Sequence, residues 1–169
     1  MTQPRTKYIR QCAGLLLDRH GLKTAPIDLE LIVRKEGLEY EEVSYFDDEL
    51  DALIIKYGDR MIAAVNKNHH IHRRRFSLAH ELCHHLHHGD RTILEDRMTI
   101  DSDDEGTSTC GSRKDVYERE ADIFAGELLV PLKLLKQHCN KPIEEISSIF
   151  VVSPEVVSIA ISNHFSALF

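Results

Sequence analysis

Two histidines four positions apart enclose an acid in the run His80-Glu81-Leu82-Cys83-His84. On a helix, that spacing sets the two about 40° apart around the axis and one turn along it, so both imidazoles can reach one ion. Zinc takes nitrogen, sulfur or oxygen ligands at about 2 Å and, in hydrolytic sites, keeps one coordination position open. Glu81 projects near that position, where its carboxylate can take a proton from an attacking water and pass it to a leaving amine. The chemistry predicted is metal-assisted hydrolysis. Two imidazoles alone do not define such a site, and a third ligand decides the reading.

The run Glu118-Arg119-Glu120-Ala121-Asp122 offers that ligand. It opens a helical pattern whose apolar stripe is Ala121, Phe124, Ala125, Leu128 and Leu129. Glu118 lies roughly 50° from the centre of the stripe and Glu120 roughly 110°. Glu118 is therefore expected to face the partner helix and Glu120 to face water. Asp122, one turn after Glu118, borders the same face and can accept the second ring N–H of a ligand histidine. The predicted metal ligands are His80, His84 and Glu118, with Glu81 catalytic and Asp122 behind the ligands. Ligand type favours zinc, with manganese also compatible. His88 is about 12 Å along the axis from His80, too far for both to touch one ion. The metzincin pattern fails, because His87 stands where it needs Gly and Asp90 where it needs His. His85, His87 and His88 are expected to form an exposed polar helix end.

These residues need a scaffold, and periodicity supplies one. A helix is expected over about residues 5–20, with Tyr8, Ile9, Cys12, Leu15 and Leu16 as its stripe and Gly21 closing it. A second helix is expected from about residue 26 to Gly37, then a strand over Leu38–Phe46. Ala52–Tyr57 and Arg60–Asn66 flank Gly58-Asp59, a two-residue turn with Gly first, which is a hairpin signal. The motif helix follows over Phe76–His88. A further strand is expected at Arg91–Ile100, a mobile acidic and Gly/Ser/Thr-rich loop at Asp101–Lys114, and a helix over Val116–Val130 stopped by Pro131. Shorter helices should start near Leu132, Pro142 and Pro154. The whole reads as one α+β domain over 1–169: an N-terminal helix (1–25), a catalytic core (26–131) and a C-terminal helical segment (132–169). The strand Arg60–Asn66, just before the motif helix, is a candidate edge for an extended peptide.

Composition limits the function classes. The 169-residue chain carries a net charge of -7, which disfavours general binding to phosphate backbones. No stretch reaches the roughly 18 apolar residues of a membrane helix, and Met1–Arg10 holds no apolar signal segment. A cytoplasmic location with reduced thiols at Cys12, Cys83, Cys110 and Cys139 is the resulting expectation. The C-terminal segment has a helix-turn-helix outline but no Lys or Arg after Lys141. Packing against the core or docking a protein partner fits it better than contacting DNA. Arg73-Arg74-Arg75 is the one basic cluster, expected as a solvated face at the approach to the motif helix.

At these residues the chain resembles the ImmA/IrrE family of metallopeptidases. Arg75-Phe76-Ser77-Leu78-Ala79-His80-Glu81-Leu82-Cys83-His84 is similar to its RFxxAHELGH. Glu118-x-x-Ala121-Asp122-x-Phe124-Ala125-x-x-Leu128-Leu129-Val130-Pro131 is similar to its ExxANxFAxxLLMP. The resemblance implies a minimal zincin-like α+β fold, with a small antiparallel-rich sheet packed on the HExxH helix and a second ExxxD helix. It also implies Glu118 as third ligand and cleavage of a protein substrate, commonly a helix-turn-helix repressor, in a stress or mobile-element response. Two readings compete with proteolysis: a non-hydrolytic, metal-stabilised regulator that binds a transcription factor, and a toxin-antitoxin component. The sequence departs from the family pattern at Cys83, where Gly is usual, and at Asp122, where Asn is commoner. Cys83 is expected to act as a small apolar residue packed under the helix.

Overall fold

The computed structural model describes residues 3–88 and 113–168. In chain order the elements are α1 (Thr6–His20), α2 (Leu29–Lys35), β1 (Glu39–Val43), β2 (Ala52–Tyr57), β3 (Arg60–Asn66), α3 (Ile71–His87), α4 (Arg113–Leu129), α5 (Leu132–Leu135), α6 (Ile143–Phe150) and α7 (Pro154–Leu168). The strand expected at 91–100 and residues 101–112 of the loop expected at Asp101–Lys114 lie outside the described residues, whereas the last two of that loop, Arg113 and Lys114, belong to α4.

The hairpin falls where its turn residues put it. Gly58 takes a positive φ of 61° at the first turn position, and Ala52 pairs with Val65 at the far end of the antiparallel ladder. The strand order is β1-β3-β2, with β2 antiparallel and β1 parallel to β3, so the sheet is mixed. β3 is its middle strand. Both of its edges are engaged, which removes it as the edge for an extended peptide. The hairpin signal identified the β2 partner, but the β1–β3 pairing joins strands with a whole strand between them and has no local signature.

Alternation along the strands assigns their faces. Ala52, Ile54, Ala63 and Val65 join the main core, whereas Val43, Ile62 and Ala64 form a smaller cluster on the other side of the sheet. α3 packs on that sheet and on α4, and α4 packs also on α1. Ala79, Leu82 and Cys83 from α3 share the main core with Ala121, Phe124, Ala125 and Leu128 from α4. Small residues on both helices let their axes approach closely, and this brings the two polar stripes together.

Two helices start elsewhere than expected. α2 begins at Leu29 rather than near 26, because Asp28 caps it, accepting from the Leu31 N–H at 2.9 Å. α3 begins at Ile71, five residues before Phe76, so the three arginines lie inside the helix rather than ahead of it. They act as braces more than as a solvated face. Arg75 donates to the Ile27 carbonyl at 2.8 Å, Arg74 pairs with Glu42, and Arg73 pairs with Asp51. Asn66, fully buried at the end of β3, donates to the Leu50 carbonyl at 2.9 Å and accepts from the Asn68 N–H at 3.0 Å. The chain between sheet and α3 is thereby fixed, and with it the register at which α3 presents its histidines.

The C-terminal helices do pack on the core. Ile146, Phe150, Val152, Val157 and Ala160 are buried there. No single described helix is long and apolar enough to cross a membrane; α6 and α7 meet at a bend of 105°.

Candidate metal centre

The helix pair brings His80, His84 and Glu118 together, each offering one ligand atom within 4.8 Å of the others. The Nε2 atoms of the two histidines stand 3.0 Å apart. Glu118 Oε2 lies 3.1 Å from His80 Nε2, and Glu118 Oε1 lies 3.6 Å from His84 Nε2. Three donors held at about 2.0–2.1 Å from one tetrahedral ion would stand roughly 3.3 Å apart. Two imidazole nitrogens and a carboxylate oxygen at these separations fit a metal such as zinc. Glu118 is half exposed, which leaves the cluster accessible from solvent.

Asp122 occupies its expected place: its Oδ1 accepts from His80 Nδ1–H at 3.0 Å. This bond fixes a ring proton on Nδ1 and turns Nε2, the nitrogen a metal would take, toward the cluster. Burial opposes charge on His80, but hydrogen bonds to Asp122 and then Glu118 outweigh it and lift the imidazole to about 9. The same contacts, from His80 first and His84 second, hold the Glu118 carboxyl well below the usual carboxylate range. Glu81 follows His80 on α3 and is buried, 6% exposed.

Two expectations at this site are overturned. Glu120 does not face water; it is fully buried. Besides meeting α3, α4 packs on α1, and Arg5 at the N-cap of α1 reaches the carboxylate. Arg5 donates its backbone N–H to Glu120 Oε1 at 2.7 Å, its Nε–H to the same oxygen at 3.0 Å, and Nη2–H to Oε2 at 2.8 Å. These bonds outweigh the burial that resists charge and depress the Glu120 carboxyl. The end of α3 is likewise not a solvated row. His88 is 3% exposed at its side chain, stacks on Tyr117 and meets Glu120, while His87 packs its ring on Phe124. The sequence carried a signal for His88: positions 80, 84 and 88 continue one i, i+4 row, and distance excludes only direct contact with a shared ion.

Cys83 is fully buried, and burial pushes its thiol well above the ordinary range. It is a packed thiol, as expected at that position.

A helix carrying two convergent imidazoles, crossed by an acid-bearing helix and backed by a small sheet, defines the zincin-like class of metal-site fold. The chain belongs to the IrrE N-terminal-like domain family, Peptidase_M78, which matches residues 28–162. Its fold is similar to that of a Mycobacterium tuberculosis transcriptional regulator, with a TM-score of 0.65 at 18% identity, covering 91% of this chain and 46% of that one. The chain thus spans about half the length of that solved structure. No curated protein matches it.

Proposed function

We propose that the chain is a zinc-dependent regulatory endopeptidase of the cytoplasm, cutting a protein substrate that is itself a DNA-binding repressor. The observation that carries this reading is the convergence of His80, His84 and Glu118, with Glu81 on the same helix turn as His80. Bound zinc would supply a Lewis acid for the scissile carbonyl and for water. Glu81 takes the proton of the attacking water and returns it to the leaving amine. Asp122 holds His80 in the tautomer a ligand requires. The family supports peptidase chemistry, and the regulator substrate rests on the family resemblance and on the structural neighbour, itself a transcriptional regulator. The test is to incubate the purified chain, with and without chelator, with the helix-turn-helix repressor encoded beside it. Chelator-sensitive cleavage at one bond is expected; an intact repressor bound stoichiometrically would instead favour a non-hydrolytic regulator.

A groove of about 470 Å³ between α4 and α7 offers room for an apolar substrate segment, with Phe76, Ile123, Gly126, Val130 and Val156 among its lining and Asp122 on its wall. Nothing lies within 4 Å of a Cβ placed on Gly126. Gly126→Leu should therefore fill the groove without backbone conflict and stabilise α4 by about 0.5–1 kcal/mol through helix propensity. Cleavage is expected to fall about tenfold or more, as when a substrate is displaced from its productive position. Zinc content and a raised thermal midpoint, measured beside cleavage, separate this outcome from damage to the site.

A further inference from the structure

We propose that His88 and Glu120 are positioning residues that set the tautomer of His84, so that its Nε2 lone pair is available to a metal ion. The proposal deepens the metal-site reading above and rests on it.

The geometry is a row of three groups ending in a buried charge. His84 Nδ1 and His88 Nδ1 stand 2.9 Å apart, and His88 Nε2 lies 3.1 Å from Glu120 Oε2. Glu120 is an acceptor only, because Arg5 donates to both its oxygens and holds it ionised. His88 must then carry its proton on Nε2 to donate to that carboxylate. Its Nδ1 is left as a lone pair, which accepts from His84 Nδ1–H. His84 is thereby fixed with Nε2 unprotonated, the nitrogen that stands 3.0 Å from His80 Nε2. Each ligand histidine is thus oriented by a carboxylate, His80 directly by Asp122 and His84 through one intervening imidazole by Glu120. The two arms differ in burial. Asp122 is exposed, whereas Glu120 and the His88 ring are enclosed, and the stack of His88 on Tyr117 fixes the ring plane.

The arrangement separates hydrogen-bond direction from simple space filling. Glu120→Gln preserves shape. The Arg5 backbone N–H is fixed, whereas its half-exposed guanidinium can turn Nη2 away, so the amide oxygen takes the Oε1 place and the NH2, displacing Arg5 Nη2–H, faces His88. His88 must then accept at Nε2 and donate at Nδ1, and this opposes the Nδ1–H of His84. His88→Leu removes the link while keeping an apolar filler. His88→Asn retains an acceptor near the Nδ1 place.

The experiment measures zinc affinity by competition with a chromophoric chelator, alongside thermal unfolding of each metal-free variant. Glu120→Gln and His88→Leu are expected to bind zinc about 10–100-fold more weakly, and His88→Asn within about threefold of the unsubstituted chain. If Glu120→Gln and His88→Leu bind within twofold of the unsubstituted chain, the relay is wrong although the metal site stands. An Asn variant as weak as the Leu variant also overturns it, since ring packing would then be what matters. Should His88→Leu fail to fold, Glu120→Gln decides alone. Failure of the unsubstituted chain to bind zinc removes the metal-site reading itself.

Discussion

Glu81→Gln is expected to abolish cleavage while leaving zinc in place. Gln has the shape of Glu but cannot take a proton from water, so the loss falls on the proton-transfer step. General base catalysis contributes about 10²–10⁴-fold, and the cleavage rate should drop by that factor. Zinc content should stay at one ion per chain, because the proposed ligands are His80, His84 and Glu118, and Glu81 is not among them. Burial of Glu81 makes the neutral variant easy to accommodate: an uncharged amide costs less to enclose than a carboxylate. Measuring cleavage of the repressor and metal content on the same preparation separates the readings. Cleavage at an undiminished rate would remove Glu81 from the mechanism. A variant that cannot cut yet still evokes the full transcriptional response would make the chain a binding regulator.

Residues that act along one helix face were legible in the sequence, and residues that depend on a third element were not. The pairing of His80 with His84, and the aim of Glu118 and Asp122 at the same seam, follow from about 100° per residue and an apolar stripe on each helix. The structure places all four where that geometry puts them. Helical periodicity misplaces Glu120 because its partner is Arg5, 115 residues away, and no helical wheel contains that distance. Distance from His80 excludes His88 as a ligand but not as a partner, since a ring too far to bind an ion can still orient one that does. The hairpin was readable from Gly58-Asp59. The middle position of β3 was not, because a parallel partner comes from a strand already passed in the chain. The helix starts at Leu29 and Ile71 turned on the caps Asp28 and His70, which competed with the stronger Pro and apolar signals nearby.

Metal loading should depend steeply on pH, because the ion must displace a proton from His80. Between Asp122 and Glu118 this imidazole is lifted to about 9, so the metal-free protein at neutral pH carries an imidazolium between two carboxylates. A ligand histidine is neutral, and binding therefore releases one proton below that value. Apparent zinc affinity should rise about tenfold per pH unit up to about 9 and then level off, roughly 100-fold between pH 6.5 and 8.5. Stability of the metal-free protein runs the opposite way. Its folded pKa lies above the ordinary 6.5, so charged His80 stabilises the fold fully below 6.5 and that contribution fades as pH rises through about 9. The half-exposed Glu118 and more exposed Asp122 are screened by solvent, which limits the loss to about 1–2 kcal/mol. Thermal unfolding with and without zinc should therefore show a gap that widens from pH 6.5 to 8.5. Calorimetry in buffers of different ionisation enthalpy counts the released proton directly. Asp122→Asn keeps an acceptor for His80 Nδ1–H but removes the charge that raises it, so the pH slope should flatten. A zinc affinity that does not change between pH 6.5 and 8.5 would mean that His80 is already neutral in the metal-free chain. The contacts to Asp122 and Glu118 would then serve to orient the ring alone.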